Sequence, residues 1–323
     1  MTVDRSESGR LRRLTEELAE EGFDVDVAEP GDAVLLAELD YALRPLVHER
    51  RVPSFGAIVD PKASPDTWDA ETDLTVTHRH LEGVGAKHAR RFADGLSSWL
   101  VRRGADDLEL AVFDRPAGSE RDLVVMAEAM EATIVQRHPS GLVRIVGTFG
   151  VLRWDGLSWR REPPVATWID AMSACRQHGD RDVLGRLLEF GVHDLGARGI
   201  GALLIYQPVP PSAPAWQLRL PEPPQLDINR PADLAPLRHV LGQVDGAAVF
   251  DADGVLRQLG VRLVPSAEAE AEAAVDRQRG GMRHTSARRY SIDDPNATLI
   301  VVSEDGPVTV MRNGEVLGRS EHA

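Results

Sequence analysis

The chain of 323 residues has one cysteine, Cys175, which excludes an intramolecular disulfide and any metal site built on several thiolates. Set in the helix-like stretch WIDAMSACRQ, it reads as a small packed residue. Aromatic residues are scarce, at 5%, and Trp154, Trp159 and Trp168 read as packing residues or a cross-strand pair rather than a ligand platform. Cations are outnumbered, 37 Lys and Arg against 51 Asp and Glu, and the formal charge of −14 argues against a broad nucleic-acid or anionic-membrane footprint, which needs clustered basic side chains. A local basic pocket is compatible with that balance. No run approaches the roughly 20 apolar residues of a membrane span, and the opening MTVDRSESGR lacks the apolar core of a signal peptide. A cytoplasmic protein with no membrane or nucleic-acid partner is expected.

With 42% hydrophobic and 27% charged residues, the composition is that of a globular protein, and the length suits two domains. Residues 9–22 repeat apolar positions at helical spacing, and a second helix is expected over 31–49. LTVTHRHLEG reads as a strand, HARRFADGLSSWLVRRG as a helix ending on arginines and a glycine, and LELAVFD as a strand. LVRIVGTFGVLRWDGLSWRR adds strands with a hairpin at Asp155-Gly156. His78, His80 and His88 could ligand a metal, but with no Cys or HExxH pattern nearby an exposed or satisfied pair is the better reading. The first domain, 1–176, is therefore α/β or α+β, with a function its residues do not disclose and a regulatory role open to it.

A helix follows Glu162-Pro163-Pro164, and Gln177-His178-Gly179 reads as the joint to a second domain over 180–318. There, Val183 to Leu195 forms an amphipathic helix, Gly199-Ile200-Gly201 turns the chain, and Ala202 to Ile205 suits a buried strand. The proline-rich stretch from Pro208 to Pro224 is expected as a surface loop. A short helix at 237–241, strands VDGAAVFD and VLRQLGVRLVP joined at Asp253-Gly254, an acidic helix ending at Gly280-Gly281, the strand ATLIVVSE and a hairpin at Asn313-Gly314 complete the pattern.

Two stretches bear on chemistry. Asp245-Gly246-Ala247 sets a carboxylate before two residues too small to block a ligand's approach to the backbone. Gly281-Met282-Arg283-His284-Thr285-Ser286-Ala287 reads as a helix N-terminus bearing a guanidinium, an imidazole and two hydroxyls, which suits an anion. A carboxylate opposite a phosphate-binding corner is the minimum equipment for metal-assisted nucleotidyl transfer.

The order of LRHVLGQVDGAAVFDADGVLRQLGVRLVPS, GGMRHTSARRYS and LIVVSEDGPVTVMRNGEV resembles the diadenylate cyclase domain of DNA-integrity scanning proteins and membrane-anchored cyclic di-AMP synthases, with its DGA motif, Leu-Val-Pro-like strand end, GTRHR motif and Val-Ser strand end. The likeness covers about 140 residues. It implies a mixed β-sheet flanked by helices and the condensation of two ATP into cyclic di-AMP and two pyrophosphates. It also implies Asp245 as the carboxylate that holds a divalent metal, Mg or Mn, and helps activate the ribose 3′-hydroxyl. Gly246 and Ala247 then line the nucleotide, Leu263 packs the adenine edge, and Arg283 and His284 grip the triphosphate. Thr285 and Ser286 complete the ATP contacts, and Glu304 is a second metal candidate beside its reading as an ordinary strand-end acid. Because each domain of the family holds one ATP, a face-to-face dimer or higher oligomer is implied. Met282 stands where the family has threonine and Thr285 where it has the second arginine; Arg288 or Arg289 could reach the phosphates instead, or Ser286 could take the threonine's role, and a slow cyclase or a nucleotide-binding sensor stays open. The family's transmembrane helices and helix-hairpin-helix DNA module have no counterpart in the sequence.

Overall fold

The computed structural model describes residues 5–45, 47, 49–173, 181–211, 215–275, 281–304 and 307–320. Contacts divide the chain into two units, one ending at Pro164 and the other running from Val165 to Glu321. Cys175 and the joint expected at Gln177–Gly179 lie outside the described residues.

The first unit contains α1 (Arg5–Glu20), α2 (Pro30–Leu43), β1 (Phe55–Val59), α3 (Pro65–Thr72), β2 (Val76–His80), α4 (Ala86–Ala89), β3 (Ser98–Arg102), β4 (Leu108–Phe113), α5 (Glu120–Ala129), β5 (Thr133–Arg137), β6 (Val143–Gly147), β7 (Gly150–Trp154) and β8 (Trp159–Glu162). Its strands form one mixed sheet in the order β2-β4-β3-β1-β5-β6-β7-β8, in which only β1 and β3 run parallel. The helix expected over residues 88–104 is corrected: after α4 and a single turn the chain reverses and enters β3. Asp94 causes the reversal, its Oδ1 accepting the amides of Leu96, Ser97 and Ser98 at 2.8–2.9 Å, while Gly95 takes φ +70°. Trp99, Leu100 and Val101 are then fully buried, each contributing about 1.5–3 kcal/mol in the sheet interior. The second helix stops at Leu43 rather than residue 49, because the residue before Pro45 is pushed out of helical geometry.

Two buried ionic clusters tie this unit together. Glu38 receives Arg90 (Nε, 2.7 Å) and Arg102. Glu120 receives Arg153 (Nε, 2.7 Å), whose Nη1 also reaches Glu162 at 3.5 Å.

The second unit contains α6 (Val165–Ser173), α7 (Arg181–Glu189), a wide helical turn over Phe190–Leu195, β9 (Ala202–Tyr206), β10 (Trp216–Gln217), α8 (Pro231–Leu241), β11 (Ala247–Phe250), β12 (Leu256–Leu263), α9 (Ala267–Val275), α10 (Met282–Asp293), β13 (Thr298–Val302), β14 (Val308–Arg312) and β15 (Glu315–Arg319). The first domain was expected to run to 176, whereas α6 packs with the second unit. Its Val165, Trp168 and Ile169 join the core of Leu187, Leu188 and Phe190, and Trp168 lies against Gly318. The proline-rich segment is not wholly loop: Trp216 and Gln217 pair with Leu263 and Arg262. The end expected for the acidic helix, at Gly280, falls outside the described residues.

The sheet order is β10-β12-β11-β9-β13-β14-β15, with β9 and β11 parallel and every other pair antiparallel. Period-2 alternation divides its side chains cleanly. Ala202, Leu204, Ala248, Phe250, Ile300, Val302 and Val310 meet residues of α6, α7 and α8 on one face. Leu203, Ile205, Ala247, Val261, Leu299 and Val301 meet Ala287 and Tyr290 of α10 on the other.

Candidate functional site

The chemistry-bearing residues gather at one end of the second sheet. Ala247 pairs with Leu203, so carrying that register back two residues sets Asp245 beside Gly201; Val302 pairs with Ala202, which sets Ser303 on the other side of Gly201. Asp245 and Gly246 are exposed and Ala247 is buried. Gly246 needs to be glycine: its φ is +110°, and a Cβ there would fall 2.7 Å from the carbonyl carbon of Gly260. Leu263 ends β12 opposite Trp216, half-buried on the α10 face.

The α10 helix delivers its first turn to the same edge. Gly281 caps it without any side-chain bond, and the ladder starts only with Thr285 N donating to Gly281 O at 3.1 Å. The amides of Met282, Arg283 and His284 therefore have no acceptor within the helix and carry its positive dipole end. Arg283 lies across Gly201: a Cβ on that glycine would sit 3.0 Å from the Arg283 Cζ and 2.8 Å from the Glu304 Cγ, and Arg283 Nη1 meets Glu304 Oε1 at 3.2 Å. The pair is solvent-exposed, at 41% and 69%, so it is weak and ready to exchange partners. His284 Nε2 lies 3.2 Å from Thr309 Oγ1 on β14, and burial together with the nearby Arg319 holds its imidazole below the ordinary value. Ser286 is half-buried, and the Thr285 hydroxyl donates to Gly281 O at 3.3 Å.

Arg288 and Arg289 are engaged elsewhere. Arg288 Nε donates to Gly314 O at 3.0 Å, and Arg289 lies 3.6 Å from Glu270. Met282 is 89% exposed. The residue that sequence reading passed over is Gly201, whose value depends on a side chain 82 positions further along the chain. Its only signal was a glycine directly before a buried strand.

Among the described residues no group of three or more His, Cys, Asp or Glu side chains could hold a metal. The oxygen donors Asp245 and Glu304 nevertheless suit a hard divalent cation of the magnesium type, which commonly takes one or two carboxylates and completes its shell with substrate phosphates and water. In the first unit His78 Nδ1 lies 2.6 Å from Glu109 Oε1, and Trp154 pairs across the hairpin with Trp159 at 5.6 Å. No described helix is long and apolar enough to cross a membrane.

Comparison with known proteins matches each unit separately. Residues 12–162 match the family model described as "Probable sensor domain DACNK". Residues 190–316 match the one described as "DAC: DisA bacterial checkpoint controller nucleotide-binding", the family whose motifs the sequence resembles. The chain thus carries an N-terminal domain of the first kind and, separately, a C-terminal domain of the second. No curated protein matches it. Similar solved structures include a hypothetical membrane spanning protein from Bacillus cereus (22% identity, TM-score 0.32, 40% of this chain and 59% of that one). A double mutant of DacA from Staphylococcus aureus is also similar (16% identity, TM-score 0.29, 44% and 87%). The chain spans only 59% of the length of the Bacillus cereus protein.

Proposed function

We propose that the second unit, whose residues 190–316 match the diadenylate cyclase family, binds ATP and condenses two molecules of it into cyclic di-AMP. The observation that carries this reading is the meeting, at one sheet edge, of the Asp245-Gly246 strand entry with the Arg283–Glu304 pair lying across Gly201. In the reaction each ribose 3′-oxygen attacks the α-phosphorus of the other ATP. A P–O bond to the β-phosphate breaks at each centre, two pyrophosphates leave, and the two hydroxyl protons pass to solvent. Asp245 orients the attacking hydroxyl. Arg283 exchanges Glu304 for phosphate oxygens, and the free amides of the α10 first turn add donors to the same anion. Leu263 borders the adenine. Asp245, with Glu304 once released from Arg283, would hold a divalent Mg or Mn ion, which supplies positive charge beside the α-phosphate. A single unit holds one ATP, so turnover requires two copies meeting at their sites.

A second reading, ATP binding without turnover, is favoured by one feature: Thr285 replaces an arginine, and neither Arg288 nor Arg289 takes its place at the corner. Incubation of the full chain with ATP and manganese separates the two. Release of pyrophosphate with cyclic di-AMP supports the cyclase, and thermal stabilisation by ATP without product supports the sensor. Asp245→Asn removes a charge and little volume, so it should abolish product while ATP binding largely survives; product at the wild-type rate would exclude this role for Asp245.

A further inference from the structure

Thr309 sits in the middle of β14, only 2% exposed, paired with Val301 on one side and Arg319 on the other. Because Val301 belongs to the α10 face, Thr309 presents its side chain to that helix, and there Oγ1 meets His284 Nε2 at 3.2 Å. A buried hydroxyl has one proton to place, and β14 is paired on both sides, with β13 and β15. Among the described residues the ring nitrogen is the side-chain partner of this oxygen. Donation from Oγ1–H to Nε2 satisfies the hydroxyl, whereas an Nε2–H donating to the oxygen would leave a buried hydroxyl proton without an acceptor.

We propose that Thr309 is a positioning residue that fixes His284 as its Nδ1–H tautomer, so that the imidazole meets a phosphate oxygen as a hydrogen-bond donor. This rests on the reading of His284 as a triphosphate ligand. The opposite tautomer would offer phosphate a bare Nδ1 lone pair, an acceptor facing an acceptor. A doubly protonated ring is disfavoured by burial and by Arg319, which lies directly across from Thr309. The remaining cation within one helical turn, Arg288, is bonded to the Gly314 carbonyl. His284 therefore donates without contributing charge, and among the described residues of the first turn of α10 Arg283 is the charged donor.

The test is nitrogen NMR of the full chain with labelled histidine and no nucleotide, the signal of His284 being identified among ten histidines by its loss in His284→Asn. The wild type should show a proton on Nδ1 and a bare, hydrogen-bonded Nε2. Thr309→Val keeps the β-branched shape and should shift the ring toward the Nε2–H form, and Thr309→Ser should restore the wild-type pattern. ATP affinity should follow, falling about two- to tenfold in the valine variant and recovering with serine, the range of one neutral hydrogen bond. A protonated Nε2 in the wild type, or a tautomer indifferent to Thr309→Val, overturns the inference. Should the wild type fail to bind ATP, the nucleotide reading falls while the tautomer assignment stands on the spectrum alone.

Discussion

Substituting Gly246 by alanine tests whether the entry to β11 is as constrained as its geometry implies. At φ +110° an alanine is strained by about 1–3 kcal/mol. Its Cβ would also lie 2.7 Å from the Gly260 carbonyl carbon and 2.9 Å from the oxygens of Gly260 and Val261. These are backbone atoms of the partner strand, so they can yield only by moving β12, at a further cost of about 1–3 kcal/mol. The sum, roughly 2–6 kcal/mol, corresponds to a melting temperature lower by about 5–20 °C for a unit of this size. Gly242→Ala is the matched control: φ is −76°, and the nearest atoms are 3.6 Å away, so its effect should stay within about 0.5 kcal/mol. Differential scanning calorimetry of both variants reads the second unit's transition directly. A Gly246→Ala transition within about 2 °C of wild type would refute the claim that this corner is fixed by backbone contact.

Three further outcomes are expected. Gly201→Ala first meets the side chains of Arg283 and Glu304, so melting should hardly change while affinity for inorganic tripolyphosphate, measured by calorimetric titration, drops about tenfold or more through displacement of a charged donor. Arg283→Gln should weaken the same titration comparably, whereas Arg288→Gln, at a side chain whose Nε is bonded to Gly314 O, should leave it within about twofold. In the first unit, burial pushes Glu162 up to about 7, with Arg153 opposing and Glu120 reinforcing the rise. The folded state then binds more protons than the unfolded one between pH 4.5 and about 7, so stability should fall as pH rises through that interval, by up to about 3 kcal/mol. Glu162→Gln should flatten the dependence, which melting of the first unit at about pH 5 and pH 7.5 would check.

The parts of this molecule that were legible in the sequence are those whose reason is local. Ala202 to Ile205 and the apolar run within ATLIVVSE read as buried strands because their residues are apolar or β-branched, and they form the centre of the sheet, with both faces covered, as Ala202–Tyr206 and Thr298–Val302. The Asp155-Gly156 and Asn313-Gly314 turns announce hairpins because Gly156, Asn313 and Gly314 take the positive φ those turns demand. Residues 88–104 misled because alanine and arginine favour helix on either side of Asp94-Gly95, and a turn made by one aspartate oxygen outweighs that propensity. The assignment of α6 was not legible for the opposite reason: an amphipathic helix belongs to whichever core accepts its apolar face, and Trp168 and Ile169 find theirs beside Leu187 and Leu188.

The same division runs through the candidate site. Asp245, Gly246 and Arg283 stand out in the sequence because carboxylate, positive φ and helix start each leave a mark within a few residues. Gly201 leaves only a glycine before a buried strand and Thr309 leaves no mark, since a bare glycine matters only once a guanidinium from another element lies on it, and a strand threonine matters only once register turns it toward a particular imidazole. Gly201 directly precedes β9 and Thr309 lies on β14, and both act by setting where a motif side chain can be. Substitutions at the motif residues would remove chemistry outright, whereas substitutions at Gly201 and Thr309 would leave every motif residue present and change only its placement. A loss of function there, with Asp245, Arg283 and His284 intact, would separate the geometry of this corner from its composition, which the motifs alone cannot do.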